Sequence, residues 1–469
     1  MERSPLAPVS PRPGPRLRPL FALGALLALP PGATPQAGQA PAARGDDAYS
    51  FQPGFSETRR VELTPAPGGL RWSWTAPAGS TWDTALLGVR VEASAEGEPR
   101  LELAAGSAAA TQYLDPGAHG LRWLNLSRLK GQLGDGVEVD VRGQAVEVAP
   151  GPAELRLFSN RLELGGRILV LAPHPDDAEI AAFGLYAGRD ASIVTVTSGN
   201  AGDANYAAQF PDVAEQYRFK GYLRSLDSVT VPWQGGIPPE RCFNLGYFDA
   251  RLATMHESPR QVVPELYGPN TDVSVYRRVN LSRLLPKGPR ESTWAHLVED
   301  LAAVLRKLEP ATVVMPHPFL DSHLDHEFTS VALVEALERW DGRPCFLLYT
   351  NHADQNLYPY GPAGSGMSLP PWSGPALPVQ GVYSHPVSPE LQRRQLFALE
   401  SMHDLRLSPA EQAACDTPGA APHREDYPRT PAVDYFRRAP RAEETFFVFD
   451  RDGVQALIRE FLASLRAAP

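Results

Sequence analysis

Two hydrophobic patterns divide the chain near residue 165. From about Phe51 to Glu163, short stretches of alternating apolar and polar residues are separated by glycine, proline and aspartate. "VRVEAS" and "VEVDV" are examples, and alternation of this period is typical of strands with one buried face. Roughly seven such strands predict an all-β, sandwich-like domain over residues 45–164.

After residue 165 the alternation gives way to apolar runs separated by amphipathic stretches. "RILVLAP", "ASIVTVTSG", "ATVVMPHP" and "CFLLYT" predict buried strands, and "DSVTVPW" predicts a further one. "AEIAAFGLYAG" and "TWAHLVEDLAAVLRKL" predict helices. Apolar strands alternating with helices indicate an α/β, Rossmann-like domain over 165–469, with a mostly parallel sheet covered by helices on both faces. No G-x-G-x-x-G follows the first strand, so the dinucleotide-binding version is not supported.

A Gly- and Pro-rich segment at about 351–383 interrupts this pattern. We predict an ordered loop, because its aromatic residues Tyr358, Tyr360 and Trp372 are candidates for packing or for stacking on a ligand. A disordered segment is the alternative.

The composition excludes some classes of function. The formal net charge is −10 and there is no long basic block, which argues against a nucleic-acid partner. The three cysteines, Cys242, Cys345 and Cys415, have no Cys-x-x-Cys spacing, so a thiolate metal site is not indicated.

The first 44 residues resemble an export signal. Arg12, Arg16 and Arg18 precede a short apolar run, and small residues follow it. The run is too short for a stable transmembrane helix in the mature chain. A cleaved signal predicts a periplasmic or extracellular protein. A retained, disordered leader predicts a cytoplasmic or membrane-anchored one.

Two clusters of potential metal ligands follow predicted strands. The first is "HPDD" after the strand at 168–172, and the second lies in "MPHPFLDSHLDHE" after the strand "ATVV" at 311–314. Each alone is compatible with a helix cap or a solvated turn. Both leave a parallel sheet at the same edge, so folding is expected to bring them together. Two imidazoles and one carboxylate form a common catalytic zinc set, and a divalent cation would offset the repulsion between adjacent aspartates.

The paired motifs resemble those of the PIG-L/LmbE family of zinc-dependent de-N-acetylases. "APHPDDAE" matches the family's (A/P)-H-P-D-D-E, and "HLDH" matches its later H-x-D-H. The resemblance covers roughly residues 165–350. It implies that His174, Asp177 and His326 bind Zn²⁺, with another divalent cation as the alternative. Ala178 stands where the family motif has a glutamate, which puts an outer role of Glu179 in doubt.

The resemblance also implies catalytic roles. Asp176 matches the general base that takes a proton from the attacking water. His323 matches the histidine that stabilises the tetrahedral oxyanion or protonates the leaving amine, and Asp325 would orient a neighbouring imidazole.

Substrate contacts are implied at four positions. Arg218 and Asp249 align with family residues near the sugar, although Gly221 replaces the glutamate of the family's R-x-x-E. Asn200 and Asp203 lie in "SGNAGD", at a position that faces the active site. A salt bridge or a turn explains the same residues without a ligand.

We therefore expect a hydrolase that removes the N-acetyl group from an amino sugar in a glycan, glycolipid or glycoconjugate. An amidase acting on a thiol–sugar conjugate or another acylated amine is one alternative. A non-catalytic carbohydrate-binding protein is another.

Overall fold

Antiparallel strands build the N-terminal part of the computed structural model, which describes residues 45–74, 81–202, 206–403, 405 and 435–467. The proposed leader at 1–44 lies outside the described residues. The strands of this part are β1 Tyr49–Phe51, β2 Ser56–Ala66, β3 Gly69–Ser73, β4 Thr84–Ala93, β5 Arg100–Ala105, β6 Ala108–Tyr113, β7 His119–Asn125, β8 Glu138–Gln144, β9 Val146–Val148 and β10 Gly151–Phe158. Leu101 and Leu103 of β5 are buried and alternate with more exposed residues, as the sequence pattern predicts.

Nine of these strands, β2 to β10, form one hydrogen-bonded sheet, with the order β6-β5-β8-β3-β2-β10-β4-β7 and β9 beside β4. Strand β2 joins its two halves, because residues 56–63 pair with β10 whereas residues 64–66 pair with β3. Inward side chains of both halves, including Trp72 and Leu155, form one hydrophobic core.

The N-terminal strands pack directly on the rest of the chain. Trp123 and Phe158 belong to the same buried cluster as the second sheet. Asn125 Nδ2 donates to Ser384 Oγ at 2.8 Å, and Ser384 N donates to Thr84 Oγ1 at 2.9 Å. Strand β1 also pairs in parallel with Leu377–Val379, a strand of the C-terminal part. The two parts therefore share core residues.

A seven-stranded sheet carries the remainder of the chain. Its strands are β11 Ile168–Ala172, β12 Ala191–Thr197, β13 Cys242–Tyr247, β14 Thr312–Pro316, β15 Cys345–Tyr349, β17 Gly381–Pro386 and β18 Glu443–Phe449, and β16 is Leu377–Val379. The order is β13-β12-β11-β14-β15-β18-β17. The first five run parallel, and β18 runs antiparallel to both of its neighbours.

Helices cover both faces of this sheet. They are α1 Asp177–Tyr186, α2 Val213–Thr230, α3 Leu252–Glu257, α4 Ser274–Arg277, α5 Trp294–Leu308, α6 Leu324–Leu337, α7 Pro389–Ser401, α8 Tyr435–Arg438 and α9 Arg451–Ala467. Leu169 and Leu171 of β11 pack into one core with α5 and α6, whereas Ile168 and Val170 pack into another with α1. The predicted mixed α/β class is confirmed. No described helix contains a stretch long and apolar enough to span a bilayer.

One local prediction is corrected by the structure. "DSVTVPW" is not a strand, since α2 continues to Thr230 and a 3-10 turn follows over Val231–Gly235. Val229 and Val231 are buried there, so their burial outweighs the weak strand preference of branched side chains.

In the segment 351–383, Tyr358 and Tyr360 are buried and pack on each other, and β16 forms near its end.

Buried Glu443, at the start of β18, makes stability depend on pH. Burial raises its pKa from 4.5 to about 7, although the N–H of Met367 donates to its Oε1 at 2.7 Å. The folded protein therefore holds a proton that the unfolded chain releases, and stability is lost as the pH rises through 7.

We expect Glu443→Gln to remove this dependence, because its amide oxygen can accept the same hydrogen bond. The variant should match the wild type near pH 4.5 and exceed it by about 3 kcal/mol above pH 8. Urea unfolding at both pH values measures this difference. Equal stability at high pH would contradict it.

Candidate metal centre

The carboxyl ends of the five parallel strands bring polar residues to one edge of the sheet. His174 and the two aspartates follow β11, and the segment from His317 to His326 follows the adjacent strand β14. Asn351 and His352 follow β15, the strand beside β14. On the other side of β11, Asn200 follows β12 and Asp249 follows β13. This edge is where ligands bind in open α/β sheets.

A strained turn separates the two adjacent carboxylates. Asp176 precedes α1 with φ +149°, a conformation that L-residues rarely adopt. The carboxylate of Asp177 folds back and accepts the N–H of His174 at 2.7 Å, whereas Asp176 faces Arg224. The two side chains therefore serve different neighbours.

Three donor atoms converge on one point. His174 Nδ1 lies 3.1 Å from His326 Nε2 and 3.3 Å from Asp177 Oδ2, and the last two atoms are 3.1 Å apart. Metal bonds of about 2.0–2.1 Å place tetrahedral ligands about 3.4 Å apart, so this triangle fits a small divalent ion.

The other nitrogen of each imidazole faces a carboxylate. His326 Nδ1 donates to Asp321 Oδ2 at 2.9 Å. His174 Nε2 lies 3.1 Å from Asp249 Oδ1 and 3.3 Å from Asp325 Oδ2. A proton on each of these nitrogens leaves the lone pairs of His174 Nδ1 and His326 Nε2 facing each other and Asp177, an arrangement that a cation between them would stabilise.

The pKa values show the same preference for positive charge. Burial opposes charge on His326, but Asp177 and Asp321 outweigh it and raise its pKa to about 9. Burial also opposes charge on His174, yet Asp249 and Asp177 raise its pKa well above the usual value. Without a metal the carboxylates would hold protons on these rings; a divalent ion supplies the same charge.

The structure places Asp325 and Asp249 behind His174. Asp325 accepts the N–H groups of Ala250 at 2.6 Å and Leu252 at 3.2 Å, which fixes its orientation toward His174. The imidazole that the carboxylate of Asp325 contacts is therefore the one from the first motif. Asp249, which the resemblance implied as a sugar contact, is 7% exposed and also faces His174.

His323 caps α6 and faces the same centre. Its Nδ1 accepts the N–H of Asp325 at 3.2 Å, so the proton of the neutral ring is on Nε2. Its ring centroid lies 4.6 Å from that of His174. Burial and the neighbouring histidines lower the pKa of His323 to about 2, which keeps the ring neutral.

The other predicted substrate residues lie at different depths. Asn200 is 2% exposed and its Oδ1 accepts the N–H of Asp249 at 3.1 Å, so it holds that loop in place. The side chain of Arg218 is 38% exposed, with Nη2 3.7 Å from Glu265 Oε1. Asp203 lies outside the described residues. His317 is fully buried, and its Nδ1 accepts the N–H of Phe319 at 3.2 Å.

Sequence reasoning missed several residues of this centre. Arg224 Nη2 lies 3.0 Å from Asp176 Oδ2 and donates to the carbonyl of Pro175 at 2.8 Å. Asn351 Nδ2 donates to Asp177 Oδ1 at 2.8 Å, and His352 lies beside His326 with ring centroids 4.6 Å apart. The signal that could have identified Asn351 and His352 was their position directly after β15, the strand that pairs with β14.

The replacement of the family glutamate by Gly221 has a steric reason. A Cβ at this position would lie 2.5 Å from the ring of Tyr276 and 2.9 Å from the Cβ of Asn200. No larger side chain fits there without movement of these residues.

We expect the Asp176–Arg224 pair to stabilise the fold as well. Both side chains are about nine-tenths buried, at 11% and 12% exposure. Arg224→Met should lower the free energy of unfolding by about 3 kcal/mol, because it leaves a buried carboxylate without its partner. Adding Asp176→Asn should recover at least 1 kcal/mol of this loss. Urea unfolding of the wild type, the two single variants and the double variant measures the coupling free energy between the two side chains. Losses of stability that simply add in the double variant would contradict this prediction.

Comparison with known proteins agrees with the motifs. Residues 169–337, just over a third of the chain, match the family model PIG-L, described as GlcNAc-PI de-N-acetylase. The match runs from β11 to the end of α6 and confirms the resemblance seen in the sequence. No curated protein matches the chain.

Two solved structures show only low similarity. The match to GalB, the 4-carboxy-2-hydroxymuconate hydratase from Pseudomonas putida KT2440, covers 51% of this chain and 79% of that one, with 13% identity and a TM-score of 0.30. The match to the acetyl xylan esterase Est2A from Butyrivibrio proteoclasticus covers 69% and 92%, with 10% identity and a TM-score of 0.19. At these values neither structure indicates a function for this chain.

Proposed function

We propose that this chain, which matches the PIG-L family over residues 169–337, is a metal-dependent hydrolase that removes the N-acetyl group from an amino sugar in a glycan, glycolipid or glycoconjugate. One observation carries the proposal: three donor atoms lie within 3.3 Å of each other, and Asp176, the chain neighbour of one of these ligands, keeps its carboxylate out of the set and faces Arg224 instead.

His174, Asp177 and His326 would hold the metal ion. We propose Zn²⁺, because zinc commonly takes two imidazoles and a carboxylate in hydrolases. When bound, such an ion makes a neighbouring water more acidic and polarises an amide carbonyl.

Asp176 would move the proton, and His323 would stabilise the oxyanion. Asp176, held by Arg224 and separated from the ligand set by the strained turn, would take a proton from the attacking water. His323 presents an Nε2–H donor, since its Nδ1 already accepts the N–H of Asp325. That N–H suits hydrogen bonding to the oxyanion, and the leaving amine would receive the proton that Asp176 took from the water. Asp325 and Asp249 would orient His174.

The rim of the site offers contacts for a sugar. The rings of Tyr217 and Tyr267 stack with centroids 3.7 Å apart, and Tyr267 is 38% exposed. The hydroxyl of Tyr217 donates to the carbonyl of Gly202 at 2.8 Å, which joins this pair to the loop after β12. Exposed aromatic faces and the guanidinium of Arg218 suit the apolar face and the hydroxyls of a pyranose.

An acetate-release assay tests this function. We expect the zinc-loaded protein to release acetate and free amine in a 1:1 ratio from an N-acetylglucosaminide or N-acetylgalactosaminide. Amide conjugates that carry a larger acyl group are the comparison substrates.

Faster cleavage of the larger amides would favour an amidase that acts on acylated amines. A zinc-loaded, folded protein that binds these sugars without releasing either product would contradict the proposal and favour a binding protein.

A further inference from the structure

A fourth imidazole lies beside the proposed metal ligands. His352 follows β15, and one of its ring nitrogens lies within 4.8 Å of donor atoms of His174, Asp177 and His326. Its ring meets that of His326 edge to face, at 78°. The family motifs, which end at His326, do not include this residue.

The orientation of the His352 ring is fixed by two neighbours. Its Nδ1 lies 2.8 Å from Asn356 Oδ1, so Nδ1 carries the proton and Nε2 keeps its lone pair. The ring of Tyr435 lies nearly parallel to it, at 15° with centroids 6.3 Å apart. The hydroxyl of Tyr435 donates to the carbonyl of Asn351, which joins α8 to the same loop.

The backbone of His352 is attached to the second motif. Its carbonyl accepts the N–H of Ser322 at 3.0 Å, and its own N–H lies 3.4 Å from Asp321 Oδ2. That carboxylate oxygen also accepts the proton of His326 Nδ1. One carboxylate thus positions both histidines, an arrangement expected of two ligands of one ion.

We propose that His352 is a fourth protein ligand of the metal ion, so that this chain binds it through three imidazoles and one carboxylate and leaves a fifth position for the water of the proposed function. The inference rests on the metal site of the proposed function. The first three donors are within 3.3 Å of each other, and all four donors lie within 4.8 Å of one another. The role we assign to His352 is to raise metal affinity.

Metal affinity and the absorption of bound Co²⁺ test this assignment without an activity assay. The proteins are the full chain, His352→Ala and His352→Gln, with His403→Ala as the control. His403 pairs with Asp227 at 2.7 Å, away from the centre. We expect both His352 variants to weaken Zn²⁺ binding by about 10–100-fold in competition with a chelating dye, and to change the Co²⁺ visible bands. The control should match the wild type.

Wild-type Zn²⁺ affinity and an unchanged Co²⁺ spectrum in both variants would overturn the proposal. Loss of acetate release with unchanged affinity would also overturn it, because His352 would then act on the substrate. The Gln variant keeps the volume of the side chain, and circular dichroism checks the fold of each protein. A wild type that binds zinc through His352 but releases no acetate would contradict the proposed function alone.

Discussion

Replacement of His326 by alanine should remove both the bound metal and the acetate-releasing activity. His326 is fully buried and joins the two motifs, because its Nε2 faces His174 and Asp177 while its Nδ1 donates to Asp321. Polarisation by a metal ion contributes several kcal/mol to such a reaction, so kcat/KM should fall by about 10³–10⁴-fold. Metal content and initial rates of acetate release measure the two losses.

Asp321→Asn is the matched variant for this prediction. An asparagine oxygen can still accept the hydrogen bond from His326 Nδ1. The imidazole therefore keeps its orientation but loses the adjacent negative charge. We expect metal affinity to fall by about 10–100-fold and activity to recover at high zinc concentration. A His326→Ala protein that keeps one equivalent of metal and normal activity would contradict the ligand assignment.

The metal triangle was predictable because it depends on few assumptions. The apolar runs at 168–172 and 311–314 predict buried parallel strands, and parallel strands bring the residues after them to one edge of the sheet. Strands β11 and β14 are indeed neighbours. His174 and Asp177 therefore lie close to His326 although about 150 residues of sequence separate them, as the motifs imply.

The partners of that triangle were not predictable in the same way. Arg224 lies six residues after Arg218 on α2, so it points from a different face of the helix. The arginine that aligns with the family residue is Arg218, at the rim of the site. The contact of Arg224 with Asp176 depends on how α2 packs against the turn after β11, and it gave no sequence signal.

The burial of Asp249 and the neighbourhood of His352 depend on tertiary packing. Asp249 was expected to face a sugar, but the loop held by Asn200 turns it toward His174. His352 is separated from the second motif by α6 and β15, and only the pairing of β14 with β15 returns it to the same edge. A single histidine after an apolar strand does not reveal such an arrangement.

Asp176→Asn should lower kcat/KM by about 10²–10⁴-fold while leaving the metal content unchanged. The amide keeps the size of the side chain and an oxygen for Arg224, but it cannot take a proton from water. Asp176 faces Arg224, and none of the three converging donor atoms belongs to it. Acetate-release rates and metal analysis of the same preparation therefore separate proton transfer from metal binding.

The matched control for this change is Asp227→Asn, which makes the same replacement at a buried aspartate of α2. Asp227 is 3% exposed and accepts the N–H of His403 at 3.0 Å, outside the metal centre. Its activity should stay within about twofold of the wild type, since surroundings this far from the reacting atoms affect stability more than rate. Near-wild-type activity of Asp176→Asn would assign the general base to another group, whereas loss of its metal would place Asp176 among the ligands.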